Sequence, residues 1–187
     1  MKGEVKAVAR WTRLDGAGDD TCKLVREPEG WMLLGHARFT EGGSETRLDY
    51  LVRCDRDWLS QSADVTGTRG GVAVGWRLAK SPEGWQVNGR SIADSAQCHD
   101  VDLGFTPATN LLPVRRLGLM AGHPQEVAAL WLRWPEARAE VLEQTYARRD
   151  HRTVDYASPG FAAALEIHPS GFVTAYPGGW EGEVHAP

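Results

Sequence analysis

The sequence predicts a largely antiparallel β protein that encloses one helix. Three observations carry this reading. Apolar and polar residues alternate with period two over much of the chain. One turn formula, x-Pro-x-Gly-aromatic, occurs three times. One segment, near residues 110–120, is apolar in every direction, and a helix apolar all round is buried.

The strands are read in chain order. Val5, Ala7, Ala9 and Trp11 share one face of a first strand, with Lys6, Arg10 and Thr12 opposite. Leu48, Tyr50, Val52 and Cys54 repeat the pattern, as do Val72, Val74, Trp76 and Leu78. Further strands are predicted over 127–134, 153–158, 161–167 and 172–176. The turns 27–31, 81–85 and 168–172 carry the proline-glycine-aromatic formula. Proline presets φ, glycine takes the strained position and the aromatic opens the next strand. Asn88-Gly89 adds a two-residue hairpin. Thr66 to Gly71 is glycine-rich, which a hairpin turn explains. Segment 136–148 is two-sided: its residues are strong helix formers, yet Val141, Glu143 and Thr145 alternate with Leu142, Gln144 and Tyr146.

The helix has its own signals. Asn110 suits the N-cap, and Pro113 falls in the first turn, where N–H groups lack intrahelical partners. Gly118, Gly122 and Pro124 stop it. Arg115 and Arg116 lie inside this apolar run, and a buried cation needs a carboxylate. Asp100 and Asp102, on one face of a preceding strand, are the nearest in sequence.

The bulk numbers exclude several classes. The 187 residues fit one domain spanning 1–187. A formal charge of −4 argues against nucleic acid, which needs a basic patch. The one basic cluster, residues 148–152, reads as a solvated turn. No segment reaches the ~20 apolar residues of a membrane helix. Met1 to Lys6 has no apolar run of the secretory type, so a cytoplasmic location is expected, periplasmic only if a leader was removed. Cys22, Cys54 and Cys98 show neither a disulfide framework nor zinc spacing. No metal or cofactor is predicted, and His99 sits on the strand face opposite the two acids. Nucleophile elbows, phosphate loops and dinucleotide fingerprints are absent from the sequence.

The run Cys98 to Leu119, with Asp-Val-Asp-Leu and Thr-Pro-Ala-Thr-Asn-Leu-Leu-Pro-Val-Arg-Arg-Leu, resembles the bacterial family of "putative glycolipid-binding" proteins. Gln144-Thr145-Tyr146, Phe161 to Leu165 and Tyr176-Pro177-Gly178-Gly179-Trp180 are similar to its C-terminal half. Trp11, Leu33-Leu34-Gly35, Tyr50 and Asp55-Arg56-Asp57-Trp58 are similar to its N-terminal half. The resemblance implies a mainly β fold, a long antiparallel sheet wrapped as a spiral roll around a single central α-helix at about residues 110–120. It also implies that 136–148 is strand. A carrier function is suggested for the family by analogy with proteins that ferry bacterial lipoproteins, and fold alone does not fix function.

The expected activity is therefore non-catalytic binding of an amphipathic molecule, a glycolipid by resemblance, between sheet and helix. Asp100, Asp102, Arg115 and Arg116 either grip its head group or satisfy one another. Thr106 and Asn110 either donate to a ligand or serve as caps. Gln144, Tyr146, Tyr176 and Trp180 are the remaining candidates. The eight tryptophans offer either sugar-stacking platforms or core packing. Two rival readings are a hydrolase acting on a sugar or ester through Asp100 and Asp102, and a structural or partner-binding domain without a ligand. Oligomeric state is not legible from these patterns.

Overall fold

The computed structural model describes residues 3–186; Met1 and Lys2, where the leader reading begins, and Pro187 lie outside it. Fifteen strands follow one another: β1 (Glu4–Arg13), β2 (Gly18–Glu27), β3 (Gly30–Glu41), β4 (Ser44–Asp55), β5 (Ser60–Arg69), β6 (Val72–Ser81), β7 (Gly84–Val87), β8 (Arg90–Ser91), β9 (Cys98–Leu103), β10 (Gln125–Arg133), β11 (Arg138–Arg148), β12 (Thr153–Ser158), β13 (Phe161–Ile167), β14 (Val173–Tyr176) and β15 (Trp180–His185). They form one open sheet, in the order β8 to β1 and then β15 back to β9. The pairings between successive strands are antiparallel hairpins, as alternation predicts. Within segment 136–148, Arg138–Arg148 is strand and the first two residues belong to the turn before it, so the tertiary setting overrides helix propensity there.

One pairing departs from the prediction. β9 runs parallel to β10. Parallel neighbours need a crossover of a dozen or more residues. The chain from Leu103 to Gln125 is that crossover, and it carries α1 (Leu111–Arg116). The helix is thus shorter than the expected 110–120. Gly118, at φ 55, ends the run of right-handed conformation. Its burial is also uneven. Leu111 and Leu112 are fully enclosed, while Arg115 is exposed and Met120 is 64% exposed. The helix is not apolar all round in place; its C-terminal end reaches solvent.

The sheet's two ends come together. Val101 on β9 donates its N–H to Ser60 Oγ on β5 at 3.3 Å. The Cys98 carbonyl accepts from Trp85 Nε1 (2.9 Å) and Lys80 Nζ. The Leu103 N–H reaches Thr109 Oγ1 at 3.2 Å. Side chains from four segments therefore occupy backbone groups that an edge strand would leave unmet. Two apolar clusters fill the interior. One joins β1–β7, β9 and β10 with Leu111 and Leu112; the other joins β10–β14 with Val114. The three cysteines are buried and unbridged.

Two glycines let aromatic side chains cross a whole strand. Tyr50 on β4 lies opposite Gly35 on β3, and its hydroxyl reaches Asp20 on β2. A Cβ at Gly35 would land on the Tyr50 ring. Trp11 on β1 crosses Gly182 on β15 and donates to the Val173 carbonyl of β14 at 2.7 Å. Gly35→Ala is expected to lower stability by about 1–3 kcal/mol through overpacking. A chemical-denaturation midpoint unchanged from wild type would contradict this arrangement.

Candidate functional site

The site is built on one face of β9–β15 and on the crossover. Along β9, Asp100 and Asp102 point the same way, as period two requires, and His99 is exposed on the other side. Yet the two acids meet different partners. Asp100, whose side chain is 2% exposed, takes a bidentate pair from Arg116, at 3.1 Å from Nε and 2.5 Å from Nη2. Such a planar fork fits a carboxylate well. Asp102 accepts from Gln144 Nε2 at 2.6 Å, and Gln144 also donates to Tyr156 Oη at 3.2 Å. Burial raises the Asp102 carboxyl to about 6, against the opposing hydrogen bond from Gln144.

Arg115 takes no part in this set. Its guanidinium lies 4.9 Å from the centre of the Trp58 ring, on the outside of the helix. Adjacent helical residues point about 100° apart, so only one of two neighbouring arginines can face β9. The expected four-charge clasp is thus one pair, one amide-bound acid and one stacked cation.

The crossover loop supplies a second polar knot. Thr106 Oγ1 accepts from the Ala108 N–H (3.0 Å) and bonds the Asp20 carboxylate, which also accepts from Tyr50 Oη at 3.0 and 3.1 Å. Thr106 therefore has a local task in the turn. Asn110 does not cap the helix with its side chain; its backbone is already helical, because a tight turn (Ala108–Asn110) runs straight into α1. Its amide instead donates to Tyr146 Oη at 3.0 Å. Asp20 is fully buried and its carboxyl is raised to about 7 by that burial. Sequence reading missed it, since an acid two residues from a cysteine on an alternating strand gives no cue.

Beside these knots lies a cleft of about 530 Å³. Asp102, Thr106, Asn110, Tyr176 and Trp180 line it; Gln144 and Tyr146 lie behind it, bonded to Asp102 and Asn110. Asp100, Arg115 and Arg116 stand outside it. Trp131, Arg133, Glu140, Tyr156 and Phe161 complete the wall. Phe161 and Tyr176 stack with ring centres 5.7 Å apart. The volume falls in the range of small-molecule sites. Among the described residues no group of three or more His, Cys, Asp or Glu side chains is placed to hold a metal. No described helix is long and apolar enough to cross a membrane.

A family model described as "Putative glycolipid-binding" matches residues 8–182. The chain belongs to that family. A DUF1089 family protein from Pseudomonas aeruginosa, known from a crystal structure, is similar at 28% identity and a TM-score of 0.75; the match covers 87% of this chain and 91% of that one. No curated protein shows a significant match. In this family member the long central motif maps onto β9, the Thr106 turn and α1. Its conspicuous residues divide between a structural pair, Asp100 with Arg116, and the cleft wall, Asp102, Thr106 and Asn110.

Proposed function

We propose that the chain binds, without catalysis, an amphipathic glycolipid-like molecule. Its head group enters the cleft beside Asp102, and its tail lies between sheet and helix. The carrying observation is the cleft itself: a mixed aromatic and polar wall that opens next to buried hydrogen-bonding knots. We read the fold as a single domain in which the sheet rolls around α1. Leu111 and Leu112 in one apolar cluster and Val114 in the other support this, since the helix then sits between two curved walls.

The hydrolase reading draws less support. It needs Asp100 and Asp102 as a working pair, and Arg116 occupies Asp100 outside the cleft. Native mass spectrometry of freshly purified protein is expected to show an adduct of lipid mass. Leu142→Trp, which places an indole in the cleft, is expected to remove that adduct while keeping the fold. A protein that is empty and also takes up no added glycolipid would sink the carrier reading.

A further inference from the structure

Three adjacent strands place a carboxyl, an indole and a carboxyl in one row. Asp102 on β9 is in register with Trp131 on β10, and Trp131 is in register with Glu140 on β11. Residues in register on neighbouring strands project to the same side, and two strand spacings put the acids' backbones roughly 10 Å apart. All three side chains line the cleft.

The row is held in place. Gly104 lets the indole lie against the chain: a Cβ there would stand 2.8 Å from Trp131 Nε1. The Arg133 guanidinium lies over one face of the Trp131 ring, its carbon 5.4 Å from the ring centre. Arg133 is itself engaged by Glu136 (3.3 Å) and Glu140 (3.5 Å). Glu140 takes a further bond from Arg138 at 2.6 Å.

The geometry points to this row as the subsite for an electrically neutral sugar head group, a reading that rests on the carrier function proposed above. Aromatic faces give a sugar ring's C–H surface something to lie on. A carboxyl on either side accepts from, or donates to, ring hydroxyls. The charge inventory chooses among head groups. The cleft's one guanidinium, Arg133, is already matched by glutamates, so no free cation awaits a phosphate. Glu140 is in turn matched by arginines, and Asp102 is bonded by the Gln144 amide and pushed by burial toward its neutral form, so neither acid stands as the open anion that a quaternary ammonium favours. Nearby Arg13, 5.6 Å from the Trp180 ring centre, is likewise held by Asp15.

The test uses three amphiphiles with one tail: dodecyl maltoside, dodecyl phosphate and dodecyltrimethylammonium, each below its micelle threshold, titrated by calorimetry. The maltoside is expected to bind about tenfold more tightly than either charged probe. Trp131→Ala should remove that preference, whereas Trp131→Phe, which keeps a stacking face, should retain it. Gly104→Ala, which pushes the indole aside, should act like Trp131→Ala. A charged probe that binds as tightly as the maltoside overturns the neutral-sugar subsite and leaves the carrier reading standing. So does a preference that survives both Trp131→Ala and Gly104→Ala. Failure of all three amphiphiles to bind overturns the carrier reading and the subsite with it.

Discussion

Replacing Arg116 with leucine is expected to cost about 3–5 kcal/mol of folding stability. The reason is the partner left behind. Asp100 is 2% exposed, and its carboxylate oxygens are met by the guanidinium at 3.1 and 2.5 Å. Without the arginine, a charge stays enclosed with nothing opposite it. Arg115→Leu serves as the contrast: that side chain is exposed over Trp58, and its loss is expected to cost no more than about 1 kcal/mol. A double replacement, Asp100→Leu with Arg116→Leu, should recover part of the loss, because it removes the stranded charge too. Urea midpoints for the four proteins settle the matter. An Arg116→Leu protein as stable as wild type would show that the pair does not hold the crossover to β9.

Lowering the pH from about 8 to about 5 is expected to stabilise the protein through Asp20 by up to about 3 kcal/mol. The carboxyl is raised from its ordinary 3.8 to about 7 by burial. The folded state therefore holds the proton more tightly than the unfolded chain does. Stability from this group is full below pH 4, falls as pH rises from about 4 to about 7, and is lost above that. Asp102, raised to about 6, adds a contribution of the same sign over the lower part of that window. Asp15 and Asp150 oppose it, since Arg13 and backbone N–H groups respectively lower their carboxyls, and that stability is lost as pH falls. Those two are exposed, so their effect is small. Asp20→Asn should flatten the pH profile of the denaturation midpoint. A wild-type profile that rises from pH 5 to pH 8 would contradict the buried, proton-holding role of Asp20.

Much of the sheet was legible in the sequence. The face Leu48, Tyr50, Val52 and Cys54 is buried as alternation predicts, with Leu48 and Val52 fully enclosed. The hairpin at Asn88-Gly89 and the turn at 149–152 lie where their residues place them. The first and third faces fit less evenly. Val5 is 39% exposed because the β1 pairing slips between Val5 and Ala7, and Val72 is 68% exposed at a hairpin tip. The helix was placed correctly and Arg116 meets Asp100 as expected, but the helix's length and the burial of Arg115 were not read correctly.

Local chemistry accounts for this division. Alternation, proline, glycine and helix formers act over a few residues, so strands, turns and the single helix could be read directly from the chain. The partners of Asp100, Asp102 and Arg115, the cleft wall, and the row of Asp102, Trp131 and Glu140 are a different matter. They depend on which strands lie side by side and on the direction in which a side chain leaves a helix. Those distances run across tens of residues, such as the 42 between Asp102 and Gln144 and the 86 between Asp20 and Thr106, and only the pairing and packing of the whole sheet sets them.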